Sequence, residues 1–234
     1  MKLACTSAAF ARAFDRGDLT QLEWLDVCAR ELECDGVVLD VRHFPRTDDD
    51  YLAQIKKMAA DLGLCIAALT DDSAFTGGDV RDALRMALAI GTPLLAGRLA
   101  ADTACTWSEQ LERLNEATGA AKAANVTLAV RNAAGSFAAS VHDCKRVSKE
   151  TDSAWLRYGL DPRAFEAGSD PGDLRSKAVL LFWDDAAEPD VAPWEEFRGF
   201  VSLDRPAGDT SRAEMQRAMR RWRTARANQE LNRT

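Results

Sequence analysis

Histidine is nearly missing from this 234-residue chain, which carries only His43 and His142. So small a number excludes histidine-rich polynuclear metal chemistry. Basic charge is also short: the formal net charge is −7 with a pI near 5. A binder of nucleic-acid backbone needs a basic face to release counterions, so nucleic acid is not an expected partner. The one arginine-rich run (Arg212, Arg217, Arg220, Arg221, Arg223, Arg226) has spacings that scatter it around a helix. No apolar run approaches the ~20 residues of a membrane span, and MKLACTSAAF has no apolar region of signal-peptide length. The six cysteines include no CxxC pair and fall in predicted strands, helices or their ends, as small buried hydrophobes do. The expected setting is therefore cytoplasmic, with reduced thiols and no membrane. Neither GxGxxG after the first strand-like run nor GxxxxGK[ST] anywhere is present, which removes the usual signatures of an open dinucleotide or P-loop sheet.

What the chain does have is alternation. Short apolar runs at residues 2–7, 36–42, 64–71, 93–100, 127–132, 154–161, 178–185 and 199–204 are separated by longer amphipathic stretches. That is the pattern of βα units around a parallel sheet. Leu52, Ile55, Met58, Ala59 and Leu62 make one helical stripe ending at Gly63, and a second helix ends at Gly91. The sixth and seventh helices are the weakest, since EAGSDPGD is turn-rich and VAPWEEFRG spans about two turns. Ser211 followed by Glu214 predicts a capping box on the last helix. Eight such units without an antiparallel interruption predict a single (β/α)8 TIM barrel over residues 1–234.

A barrel places its chemistry at the C-terminal strand ends. Those ends carry Ser7, then Asp40, Arg42 and His43, then Thr70 and Asp71, then Arg98. Later strands add Arg131 and Asn132, Asp161, Trp183 and Asp184, and finally Asp204 and Arg205. His43 reads equally as a substrate contact or a hydrogen-bonded mouth residue, while His142 falls on a helix surface. Trp183 reads as a sugar-stacking ring or as packing. Arg98 reads as an anion ligand or as the partner of Asp71, and Asp40 as the partner of Arg42 or Arg131.

With KLACTS, CDGVVLDVRHF, DLGLCIAAL, LAIGTPLL, LAVRN, GLDP and VSLD in this order, the chain resembles the xylose-isomerase-like family of sugar isomerases and epimerases over nearly its whole length. The resemblance implies a small carbohydrate or sugar phosphate as ligand, and association into homo-oligomers through helices or mouth loops. It also implies one divalent metal held by a Glu, an Asp, a His and a Glu at the ends of strands five to eight. Those positions fall here on Arg131, Asp161, Leu181 and Asp204, and a further family histidine falls on Ala164.

Arginine stays protonated and has no lone pair for a metal. At ~4 Å and an effective dielectric of 20, a unit charge facing a divalent ion costs roughly 8 kcal/mol, twice the unit-pair figure. The expectation is a degenerate metal site with no metal cofactor, in which Arg131 pairs with Asp161 and Asp204. Two functions remain open. In one, Asp204 abstracts a proton beside a carbonyl while Arg131 and Arg98 face the enediolate oxygen, with Asp161 in the same group. In the other, the barrel binds a sugar-like ligand or a protein without catalysis. Asp40, His43, Arg98, Trp183 and Asp184 are the expected substrate contacts in either.

Overall fold

Five to seven residues per strand are enough to cross this barrel, and each strand is an apolar run that stops where the polar residues begin. The computed structural model describes residues 1–166 and 169–231. Its strands are β1 (Lys2–Thr6), β2 (Gly36–Asp40), β3 (Cys65–Thr70), β4 (Leu94–Arg98), β5 (Thr127–Arg131), β6 (Leu156–Leu160), β7 (Ala178–Asp184) and β8 (Phe200–Asp204). Every neighbouring pair is parallel, and β8 closes on β1, so the sheet is the predicted closed (β/α)8 barrel. The strands end up to two residues inside the predicted runs, because the polar tips leave the ladder to form turns.

Alternation of side chains then sorts the residues. One set faces the helices and forms the large outer core, with Cys5, Val37, Leu39, Leu95, Leu128, Leu160, Leu181 and Leu203 among its strand residues. The other fills the lumen with Val38, Ala68, Ala96, Ala129, Leu180 and Phe182. Ala68, Ala96 and Ala129 keep this part of the lumen open for the ring of Phe182. Gly159 makes room for that ring, since a Cβ there would come within 2.9 Å of Phe182.

The outer helices start and stop on local chemistry. Thr20–Glu23, Thr106–Glu109 and Ser140–Asp143 form capping boxes on the helices Gln21–Arg30, Trp107–Ala124 and Val141–Thr151. Gly91 ends the helix Val80–Ile90 in the left-handed region. The predicted box before the C-terminal helix Arg212–Leu231 is also present: Ser211 N–H donates to Glu214 Oε2 at 2.8 Å, and Ser211 Oγ accepts from Glu214 N–H at 3.3 Å. The two weak helices are reduced to a single turn at Leu174–Lys177 and a 3₁₀ turn at Ala192–Trp194. Residues 167 and 168 of the turn-rich stretch lie outside the described residues. No helix among the described residues is long and apolar enough to cross a membrane.

Candidate functional site

Two residues beyond the lumen set on each strand, the same parity brings polar groups to the barrel mouth. Asp40 follows Val38, Thr70 follows Ala68, Arg98 follows Ala96, and Arg131 follows Ala129. Together with Thr6, Arg42, Phe182, Asp204 and the Arg205–Gly208 turn, these residues line a cavity of about 290 Å³. Other cavities lie away from the strand tips, among them a larger one beside Arg175 and Trp194. Their walls include none of the residues that line the mouth.

Arg131 is the centre of the mouth. Its Nη2 lies 2.8 Å from Asp204 Oδ2 and 3.4 Å from Asp161 Oδ2, so one guanidinium bridges β5, β6 and β8. The guanidinium carbon stacks 3.9 Å above the centroid of Phe182. The second oxygen of Asp204 accepts from the Arg205 N–H at 2.8 Å. Asn132 fixes the loop after β6 from both sides, donating to the Asp161 carbonyl and accepting from the Asp161 N–H. Burial pushes the Asp161 carboxyl up from its ordinary value, more than Arg131 pulls it down.

A second group lies across the mouth. Arg42 closes onto Asp40 through Nε and Nη2, at 2.9 and 2.7 Å. Burial raises the Asp40 carboxyl, but the charge and hydrogen bonds of Arg42 outweigh it and hold the acid below its usual range. Ser7 Oγ accepts from the Asp40 N–H and lies 2.9 Å from His43 Nδ1. The His43 ring stacks on Phe14 at 4.7 Å. Desolvation lowers the pKa of this imidazole, which favours the neutral ring.

Of the residues expected at the site, Asp40, Arg98, Arg131 and Asp204 share the cavity wall, and Asp161 joins them through Arg131. His43, Trp183 and Asp184 do not line it. Trp183 has the opposite parity, is buried, and packs edge-on against Trp222 of the C-terminal helix. Its ring is covered by protein and has no face to offer a sugar. Asp184 caps the turn after β7, accepting from the Ala186 N–H. Arg98 meets Asp72 rather than Asp71, whose carboxylate instead holds Ser73. Leu181 also faces outward, so strand seven presents Phe182 to the lumen at that level.

Sequence reasoning missed Phe182 and Asp185. Phe182 sits in a run that is apolar at both parities, so alternation alone does not mark it as the inward residue of β7. Asp185 has a fully buried side chain that takes Arg205 Nε at 2.5 Å and the Thr210 hydroxyl, while Arg221 donates to its carbonyl. It ties the mouth loop after β8 to the C-terminal helix, a link with no local sequence signal.

The positions at which the resemblance places metal ligands are Arg131, Asp161, Leu181 and Asp204. Of the corresponding positions only Asp161 and Asp204 are acidic, and both already face the Arg131 cation. Among the described residues no three His, Cys, Asp or Glu side chains are grouped so as to hold a metal.

Comparison with known proteins bears on the fold. No curated protein sequence matches the chain. The crystal structure of the probable 3-DHS dehydratase AsbF of Bacillus anthracis aligns over 94% of this chain and 98% of its own, with a TM-score of 0.77 and 13% identity. D-psicose 3-epimerase from Clostridium cellulolyticum H10 aligns over 97% and 99%, also at 0.77 and 13%. The IOLI protein, crystallised with a zinc atom, aligns over 94% and 95%, at 0.73 and 14%. The family model of the xylose isomerase-like TIM barrel matches residues 28–187. By that match, and by the closed eight-stranded barrel that contains it, the chain belongs to the xylose isomerase-like TIM barrel family.

Proposed function

We propose that this barrel binds a small carbohydrate at its mouth without a divalent metal, and that binding rather than catalysis is its function. The observation that carries this reading is the position of Arg131, between Asp161 and Asp204 and flat on Phe182. A guanidinium there supplies the positive charge that holds the two acids together. It also engages Asp204, whose other oxygen takes a backbone N–H, so a substrate proton would compete with a bond already made at each oxygen. The carbohydrate class is supported by relatives such as the D-psicose 3-epimerase, whose structure was determined with D-tagatose.

Elemental analysis of the purified protein tests the premise. Mn, Mg, Co and Zn are expected well below one per chain, and a stoichiometric ion bound at the mouth overturns the reading. Metal-independent proton transfer is the second reading, favoured by one feature: Arg131, Arg98 and Asp204 share the same cavity. In that reaction Asp204 takes the proton from the carbon beside a carbonyl, and the two guanidiniums face the enediolate oxygen. Incubating ketoses, aldoses and their phosphates in deuterated water separates the two. A binder incorporates no deuterium in either the wild type or Asp204→Asn; incorporation lost in Asp204→Asn establishes the enzyme.

A further inference from the structure

The mouth has an imbalance in its hydrogen-bonding capacity that points to the chemistry of its ligand. Four guanidinium groups (Arg42, Arg98, Arg131 and Arg205) and three carboxylates (Asp40, Asp72 and Asp204) line the cavity, in a chain whose net charge is −7. The acids are engaged. Asp40 takes two side-chain bonds and one backbone bond from Arg42. Asp204 is held by Arg131 and by the Arg205 N–H, and Asp72 Oδ1 takes the Arg98 N–H at 2.9 Å.

The cations are not equally engaged. Among the described residues the ionic partner of the Arg98 guanidinium is Asp72 Oδ2 at 3.7 Å, beyond hydrogen-bond distance. Arg205 uses Nε on Asp185, while its Nη1 and Nη2 lie 3.8 and 3.7 Å from Asp209 and Glu214. Two planar forks with unused N–H donors therefore stand on the wall of one concave cavity in which Asp40 and Asp204 are already bonded through both oxygens and Asp72 through one. Guanidinium donors in that arrangement match the paired oxygens of a carboxylate or phosphate.

Resting on the carbohydrate reading above, we infer that the ligand carries an oxyanion, a sugar acid or a sugar phosphate, and that Arg98 and Arg205 take the charged group. Arg131 stays on its two aspartates, and the sugar's hydroxyls face the rest of the cavity wall.

Thermal unfolding tests this at matched ionic strength in chloride, inorganic phosphate or ribonate. At ten times its dissociation constant, the recognised anion raises Tm by about 3–6 °C over chloride. A gain with phosphate marks a phosphorylated ligand; one with ribonate and not phosphate marks a sugar acid. The gain disappears in Arg98→Gln and is reduced in Arg98→Lys, which keeps the charge and loses the fork. It persists in Arg220→Gln, an exposed position on the C-terminal helix outside the cavity. Equal Tm values in all three salts, or a gain that survives Arg98→Gln, overturn the assignment.

Calorimetry with ribose and ribose 5-phosphate separates this failure from failure of the broader reading. Binding of ribose as tight as that of its phosphate removes the oxyanion and leaves a carbohydrate site. An anion-dependent gain in protein that carries a stoichiometric metal at the mouth removes the metal-free premise and leaves the oxyanion.

Discussion

Arg131 and Arg42 each pair with aspartate at the same end of the barrel, yet their surroundings differ in kind. The Arg131 side chain is 11% exposed and joins acids from two other strands, whereas that of Arg42 is 71% exposed and closes onto the residue two positions earlier. The buried cation fixes the relative placement of β5, β6 and β8 and rests on an aromatic floor. The exposed one completes a local turn. Burial and the number of partners, rather than the chemical identity of the pair, therefore decide which arginine organises the mouth.

Removing each cation gives the widest separation. Arg131→Leu leaves Asp161 and Asp204 facing one another without a counter-charge, and the expected loss is roughly 3–5 kcal/mol in urea unfolding with an unchanged denaturant slope. Replacing the whole triad, with Arg131→Leu, Asp161→Asn and Asp204→Asn together, recovers most of that loss, because no unpaired charge then remains buried. A single Arg131→Leu variant within 1 kcal/mol of wild type would show that the bridge is no more structural than Arg42.

The floor beneath Arg131 gives the next effect. Gly159→Ala places a methyl within 2.9 Å of the Phe182 ring in a packed lumen, with an expected cost of about 1–3 kcal/mol. The ring must move toward the guanidinium or tilt away from it, so the disturbance should spread to Arg131 and leave Arg42 unaffected. Chemical shifts of the two guanidinium groups, followed separately by NMR, check that asymmetry.

The acids of the two groups also respond to pH with opposite signs. Burial raises Asp161 even after the opposing effect of Arg131, so the folded state binds its proton more tightly than the unfolded chain does. Its contribution to stability falls as pH rises from the unfolded value toward the raised folded value. Asp40 is lowered, so its contribution is present above the unfolded value and is lost as pH falls through the folded one. In denaturation curves between about pH 2 and pH 7, Asp161→Asn should remove a stability decline with rising pH, and Asp40→Asn should remove a gain. The same sign from both variants would contradict the contrast.

Much of this architecture is legible in the chain because strands obey a period of two and caps obey local spacing. The eight apolar runs and the Ser211–Glu214 box follow from such rules, whereas the bridge from Arg131 to Asp161 and Asp204 is expected from the family resemblance, which places all three at one site. Inward and outward neighbours are harder to separate. Leu181 and Trp183 flank Phe182, and only a fixed register shows that the ring between them is the one that enters the lumen. Pairings between loops leave no periodic trace either. Asp72 reaches Arg98 across 26 positions, and Asp185 reaches Arg205 across 20. Adjacent aspartates in both places make the choice of partner depend on which one points out of its turn.

The smallest expected effect is at the exposed pair. Arg42→Ala gives up two hydrogen bonds to Asp40, but its guanidinium is largely in water, where screening and side-chain entropy offset most of the attraction, so the cost should be no more than about 1 kcal/mol. Raising the salt from 0.05 to 1 M should shrink that difference, since screening acts on exposed charges more than on buried ones. Asp40 should respond more than the fold does: without Arg42 its burial is unopposed by that charge, and its carboxyl should titrate at higher pH by NMR. A titration left in place after Arg42→Ala would mean that Ser7, His43 and the backbone set the Asp40 environment, and Arg42 would then be a free rim cation, available to the same anion as Arg98 and Arg205.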